Sequence, residues 1–151
     1  MFNIENLDTE TKQEAGAWLH LVDPSTGDLA YSDKEEKKPC RIKLKGYQSL
    51  AGKEFVVNSR NDLIKKAVEN GKKKDKKDQP KELTLDDLKE NALSDAATLR
   101  DLAIDWENIC DGEGKEIKFT KEAFYNCAVR MLDLRKQCLE FIQDQKSFFE
   151  K

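Results

Sequence analysis

The chain has 151 residues; hydrophobic and charged side chains each make up 38%, and 27 basic residues face 30 acidic ones, for a net charge of −3. That length suits one domain, and a charge-rich, apolar-poor composition predicts a modest core under a well-solvated surface. The near balance of charge argues against general affinity for nucleic acid or anionic membrane, which favours a basic excess, and no run of about 18 apolar residues offers a bilayer span.

The N-terminus, Met1-Phe2-Asn3-Ile4-Glu5-Asn6, lacks the basic and apolar regions of a secretory signal. Residues 1–14 are polar with scattered Phe2, Ile4 and Leu7, and read as an arm or a short edge segment. From Ala17 to Val22 the side chains alternate, Ala17, Leu19 and Leu21 against Trp18, His20 and Val22. A period of two predicts a strand. Asp23-Pro24-Ser25-Thr26-Gly27-Asp28 is turn chemistry: Pro24 presets φ, Gly27 permits a positive φ, and Asp23 can bond the backbone that follows it. Leu29-Ala30-Tyr31 reads as a short returning strand and Lys34 to Lys38 as a charged, exposed loop.

Cys40 to Lys45 alternates again, with Ile42 and Leu44 on one face and Arg41, Lys43 and Lys45 on the other. This predicts a half-exposed strand whose lysines discourage edge-to-edge pairing. A sheet of two or three short strands is marginal by itself and needs a helix across one face. Gln48 to Asn70, with Leu50, Phe55, Val56, Leu63, Ile64, Ala67 and Val68 at roughly helical spacing, is expected to supply it, and Gly71 to end it as a left-handed cap.

Lys72-Lys73-Lys74-Asp75-Lys76-Lys77-Asp78 follows. No aromatic residue is interleaved for base stacking and two aspartates interrupt the run, so 72–81 reads as a solvated linker rather than a nucleic-acid patch. Its composition offers nothing to bury. Limited trypsin digestion of the folded protein is therefore expected to cut first between Lys72 and Pro80; protection of that stretch would show it docked.

The second part opens on a helix start, with Thr84 as N-cap, Asp87 completing a capping box, and Leu83 and Leu88 placed as a hydrophobic staple. Leu85, Leu88, Ala92, Ala96, Leu99, Ala103, Trp106 and Ile109 mark one stripe at spacings of three and four, which predicts helix up to a stop at Asp111-Gly112-Glu113-Gly114. Glu116 to Phe119 is a short extended piece, and Thr120 caps a further helix, with Phe119 and Phe124 placed as its staple. No proline or glycine follows. Phe124, Cys127, Met131, Leu134, Cys138, Phe141, Gln145 and Phe148 form a heptad-like seam. Its first half reads as core. Its end, Phe141, Phe148 and Phe149, reads as a partner-binding surface, with Trp18 beside His20 on the N-terminal strand as the further candidate.

Cys40, Cys110, Cys127 and Cys138 show no CxxC spacing, and His20 is the single histidine, so the cysteines read as unpaired intracellular thiols rather than a zinc site. No nucleophile-elbow, P-loop, dinucleotide or HExxH motif occurs. Asp86 and Asp87 suit a helix N-terminus, and Asp111 with Glu113 lacks EF-hand spacing. The chain is thus read as non-enzymatic, without a catalytic, cofactor or metal site. The expected fold class is α+β: a small N-terminal antiparallel sheet of two or three strands with a mostly helical remainder. Residues 1–71, 72–81 and 82–151 form its parts, separate or as one compact domain.

These signatures, in this order, resemble the tail assembly chaperones of long-tailed, siphovirus-type bacteriophages over most of the chain. Ala17 to Gly27 matches the family's Ala-x-Leu-x-Leu-x-x-Pro-x-Thr-Gly strand, and Ile42 to Gly46 its Ile-x-Leu-x-Gly strand. Trp106, the Asp111–Gly114 turn, Phe119, and Leu134-Arg135-Lys136-Gln137 through Ser147-Phe148 match the second half. One departure is Leu132-Asp133 where the family carries Pro-Trp before its Leu-Arg pair, which leaves open whether 120–151 form one helix or two. The resemblance implies a non-catalytic protein that binds the tape measure protein, keeps its helical segments soluble and helps tail tube protein assemble around it. It implies residence in the host bacterial cytoplasm, absence from the mature virion, no cofactor and possible self-association. The alternatives are a structural neck or tail-completion component, or a small nucleic-acid-binding regulator.

Overall fold

A computed structural model describes residues 2–33, 35–72 and 84–149. The lysine-rich stretch from 73 to 83, including the Leu83 half of the expected staple, lies outside the described residues.

Where the sequence suggests an arm, a 3-10 turn (Ile4–Leu7) leads into a helix, α1 (Thr9–Ala15), started by Asp8, whose carboxylate accepts the Thr11 N–H at 3.2 Å and the Thr11 hydroxyl at 2.8 Å. Gly16 ends it at φ +84°, and an added Cβ there would lie 2.7 Å from Ile104 Cδ1, so only glycine fits. Strand β1 (Ala17–His20) follows, and the Asp23 turn closes as expected, with Gly27 at φ +77° and its N–H on the Asp23 carbonyl at 2.8 Å. An isolated bridge joins Val22 to Leu29. The returning strand starts later than expected, as β2 (Tyr31–Asp33), and pairs with β3 (Lys38–Pro39) in a separate two-stranded ribbon.

Strand β4 (Arg41–Leu44) lies between β1 and β5 (Ala103–Glu107) in an antiparallel three-stranded sheet. It is therefore the central strand and needs no edge protection; Ile42 and Leu44 are fully buried. The third strand comes from beyond the lysine-rich stretch, so the sheet joins the 1–71 and 82–151 parts.

Helix α3 (Leu85–Leu102) begins with the expected capping box: the Thr84 hydroxyl accepts the Asp87 N–H at 3.1 Å and the Asp87 carboxylate accepts the Thr84 N–H at 3.0 Å. It stops at Leu102, not at Ile109. The register shifts between Lys43↔Asp105 and Leu44↔Ala103, leaving Ile104 as a bulge residue. A bulge brings residues three apart onto one face. Ala103 and Trp106 both point into the core, so a strand here imitates helical spacing. The Lys121 ammonium then donates to the carbonyls of Arg100 (3.2 Å), Asp101 (3.5 Å) and Ala103 (3.3 Å), satisfying the exposed end of α3.

The expected turn at Asp111 forms: the Asp111 carboxylate accepts the N–H groups of Glu113 (2.9 Å) and Lys115 (3.0 Å), with Gly114 at φ +83°. Helix α4 (Lys121–Arg130) is capped by Thr120, as read from the sequence. The chain then breaks at Met131 and resumes as α5 (Leu132–Gln143), so residues 120–151 do not form one helix. The break needs no proline. Arg135 reaches back and donates to the carbonyls of Ala128 (2.7 Å) and Val129 (2.8 Å), capping α4 from inside α5.

The sheet's inner face packs under α3, α4 and α5, with Ile42, Leu44, Trp106, Leu99, Leu102 and Phe124 in one core. Helix α2 (Leu50–Lys72) does not cover the sheet as expected. Among the described residues, its first turn alone reaches the core, through Ala51, and the helix otherwise packs on α3. At about 100° per residue, Ala51 and Phe55 lie on one side while Val57, Ile64 and Val68 lie nearly opposite. What reads as one stripe is two, and Val56, Val57, Leu63, Ile64 and Val68 stay exposed. Gly71 is inside the helix rather than beyond its end.

The glycine of the Ile42–Gly46 motif has a packing role. Gly46 donates its N–H to the Gln13 carbonyl at 3.0 Å, and a Cβ there would overlap the Gln13 side chain, which is fully buried and accepts the Gln48 N–H at 2.7 Å. Gly46→Ala is expected to destabilise the fold by about 1–3 kcal/mol, read as a lower urea midpoint at unchanged m-value.

Candidate functional site

Three of the four residues singled out from the sequence line one groove. It has a volume of about 450 Å³ and is walled by Trp18 and by Phe148 and Phe149, with Lys12 and Lys43 at its mouth. The groove exists because α5 ends at Gln143 and Asp144 caps a 3-10 turn, Gln145–Phe148, its carboxylate accepting the Lys146 N–H at 3.1 Å. That turn folds the final aromatics back onto α1.

The expectation that Phe141, Phe148 and Phe149 all project outward is corrected. Phe148 is only 5% exposed and packs its ring 5.3 Å from that of Phe141, which stands behind it and does not line the groove. Phe149 is half-buried, with the Lys12 ammonium 4.6 Å from its ring centre. Trp18 is half-buried on the sheet's outer face, with the Arg41 guanidinium at 4.5 Å and the Lys43 ammonium at 5.9 Å. Arg41 is also paired to Glu107 at 2.7 Å. Lys12 and Lys43 make no ion pair among the described residues. His20 is held structurally, its Nε2 on the Ala30 carbonyl at 2.8 Å and its ring edge-on to Tyr31.

A second groove, of about 520 Å³, runs between α3 and α5. Its apolar lining is Leu88, Ala92, Leu132 and Leu139. Leu88 is 51% exposed and Leu132 71%. Asp95 and Arg135 stand at its rim; burial pushes the Asp95 carboxyl above its ordinary pKa, against the pull of Arg135. Leu88 and Ala92 belong to the stripe that predicts this helix. Helical spacing places residues on a face but does not say whether that face is covered.

A third concavity, between the Asp23 turn and α5, is crossed by Gln137, whose carboxamide donates to the Val22 carbonyl at 2.9 Å and accepts the Val22 N–H at 2.8 Å. Cys40 and Cys110 also line it, and all four cysteines are free thiols. Cys40 donates to the Asn108 carbonyl at 3.1 Å, and burial pushes the Cys138 thiol up to about 12, far from reactive. Among the described residues, no group of three His, Cys, Asp or Glu side chains could hold a metal ion, and no helix is long and apolar enough to cross a membrane.

Compared with known proteins, the chain matches no family model, no curated sequence and no solved structure.

Proposed function

We propose that this chain is a bacteriophage tail assembly chaperone that binds amphipathic helical segments of the tape measure protein and assists tail tube assembly in the host cytoplasm. The observation that carries the reading is the α3–α5 groove, an open channel between two helices whose leucines face solvent. A groove of this kind receives the apolar face of a third helix, and exposed apolar surface of this sort marks an interaction site. The helix break at Met131 adds support: it falls just before Leu134-Arg135, where the resembled family has Pro-Trp, so the C-terminal corner is kept by other residues.

The test is co-expression with the tape measure protein of the same phage. Leu88→Asp with Leu132→Asp changes two exposed side chains, so the fold should be retained. Losing two leucine contacts of roughly 1.5–3 kcal/mol each should weaken binding by about a hundredfold or more, and the tape measure protein should become insoluble. Full solubility of the partner with the folded double variant would defeat the α3–α5 groove as the binding surface. Recovery of the chain in purified phage particles would defeat the chaperone reading in favour of a structural component.

A further inference from the structure

We propose that the open edge of β1, together with the groove between Trp18 and Phe149, binds an extended acidic segment of a partner protein as an added strand. The ladder decides which backbone groups are available. Leu21 donates its N–H to the Cys40 carbonyl at 2.9 Å, and on β4 the Lys45 N–H turns the other way, to the Leu102 carbonyl at 2.9 Å. In an antiparallel ladder these directions alternate. Ala17 and Leu19 therefore direct their N–H and C=O groups at β4, and Trp18 and His20 direct theirs away from it, to the side where no strand pairs among the described residues.

The next outward-facing residue, Val22, shows what that edge can accept. The Gln137 carboxamide bonds both its N–H and its C=O, as a peptide group of an incoming strand would. Gln137 thus closes the edge at Val22. The backbone groups of Trp18 and His20 take no such bond among the described residues. The unclosed stretch is short, and it ends at the groove lined by Ala17, Trp18 and Phe149.

Charge selects the occupant. Lys12 and Lys43 line the groove, and among the described residues no carboxylate does. Asp105 is the cross-strand neighbour of Lys43 on the β5 side, and the two form no ion pair among the described residues. A strand presents alternate side chains to opposite faces. Trp18 and Lys43 are cross-strand partners on the sheet's outer face, so the acidic residues of an added strand would lie on that face, bringing carboxylates to both ammonium groups beside the rings of Trp18 and Phe149, while its alternate residues would lie on the other face. This is strand addition with side-chain selection by alternate positions. It is independent of the α3–α5 groove and of which protein supplies the segment.

The probe is a short acetylated and amidated peptide of alternating glutamate and valine, titrated into the full chain and followed by backbone amide chemical shifts. Saturable shifts of the Trp18 and His20 amides are expected, with little response to a lysine–valine peptide of equal length. Lys12→Glu with Lys43→Glu should weaken binding by about tenfold without altering the far-ultraviolet circular dichroism. Two N-methylated peptides, substituted at alternate residues, test the edge without changing the protein: one set should abolish binding and the other leave it. The proposal is overturned by any of three results: no saturable binding, equal binding of the lysine peptide, or both methylated peptides binding like the parent. It is equally overturned if sedimentation shows a dimer that the acidic peptide fails to dissociate, because a second copy then fills the edge.

Discussion

Phe148→Ser will destabilise the protein by about 3–5 kcal/mol, whereas Phe149→Ser, one residue further on, will cost about 1 kcal/mol or less. The contrast follows from where the turn at Asp144 puts the two rings. Phe148 is 5% exposed and packs at a tilt against Phe141, so its loss opens a cavity beside α1 and α5. Phe149 is half-buried and its distinct partner is the Lys12 ammonium. Against a total stability of about 5–15 kcal/mol, the first change brings the chain near unfolding at ordinary temperature and the second does not. Urea unfolding of the two single variants measures both. Equal, small losses would return Phe148 to the surface and make the pair available to a partner.

Trp106→Ala should be at least as costly, about 3–5 kcal/mol, with a further contribution from the Ile117 carbonyl that it leaves without its donor. Trp106 is 6% exposed, donates from Nε1 to that carbonyl at 2.7 Å, and meets Phe119 edge-to-face at 5.5 Å. It links β5, the Ile109–Ile117 hairpin and the start of α4. Trp106→Phe should lose less, about 1–3 kcal/mol, because the ring is kept and the hydrogen bond is not. If the two substitutions cost the same, the hydrogen bond dominates the effect; if both are harmless, Trp106 does not sit beneath the sheet.

What is settled within a few residues can be read directly from the chain. The capping box at Thr84 and Asp87, the Thr120 cap, the Asp23 and Asp111 turns, and the alternation at Ala17–Val22 and Arg41–Lys45 all reappear in the fold. Each rests on hydrogen bonds or pleating local to the chain, as does the α+β class that they add up to. The tertiary structure alone decided what depends on distant partners. Ala103–Glu107 is a strand because β4 is there to pair with it, and its bulge copies a helical spacing. Helix α2 keeps an uncovered stripe because α3, α4 and α5 already fill the sheet's inner face. The chain turns at Met131 without proline or glycine because Arg135 can satisfy the carbonyls that the break frees. Trp18 and Phe149 stand 131 positions apart in the chain and meet across one groove only when the Asp144 turn folds the last residues onto α1. Periodicity marks the face a side chain occupies; which faces are covered, and which remain to bind something else, follows from competition for a limited area of sheet.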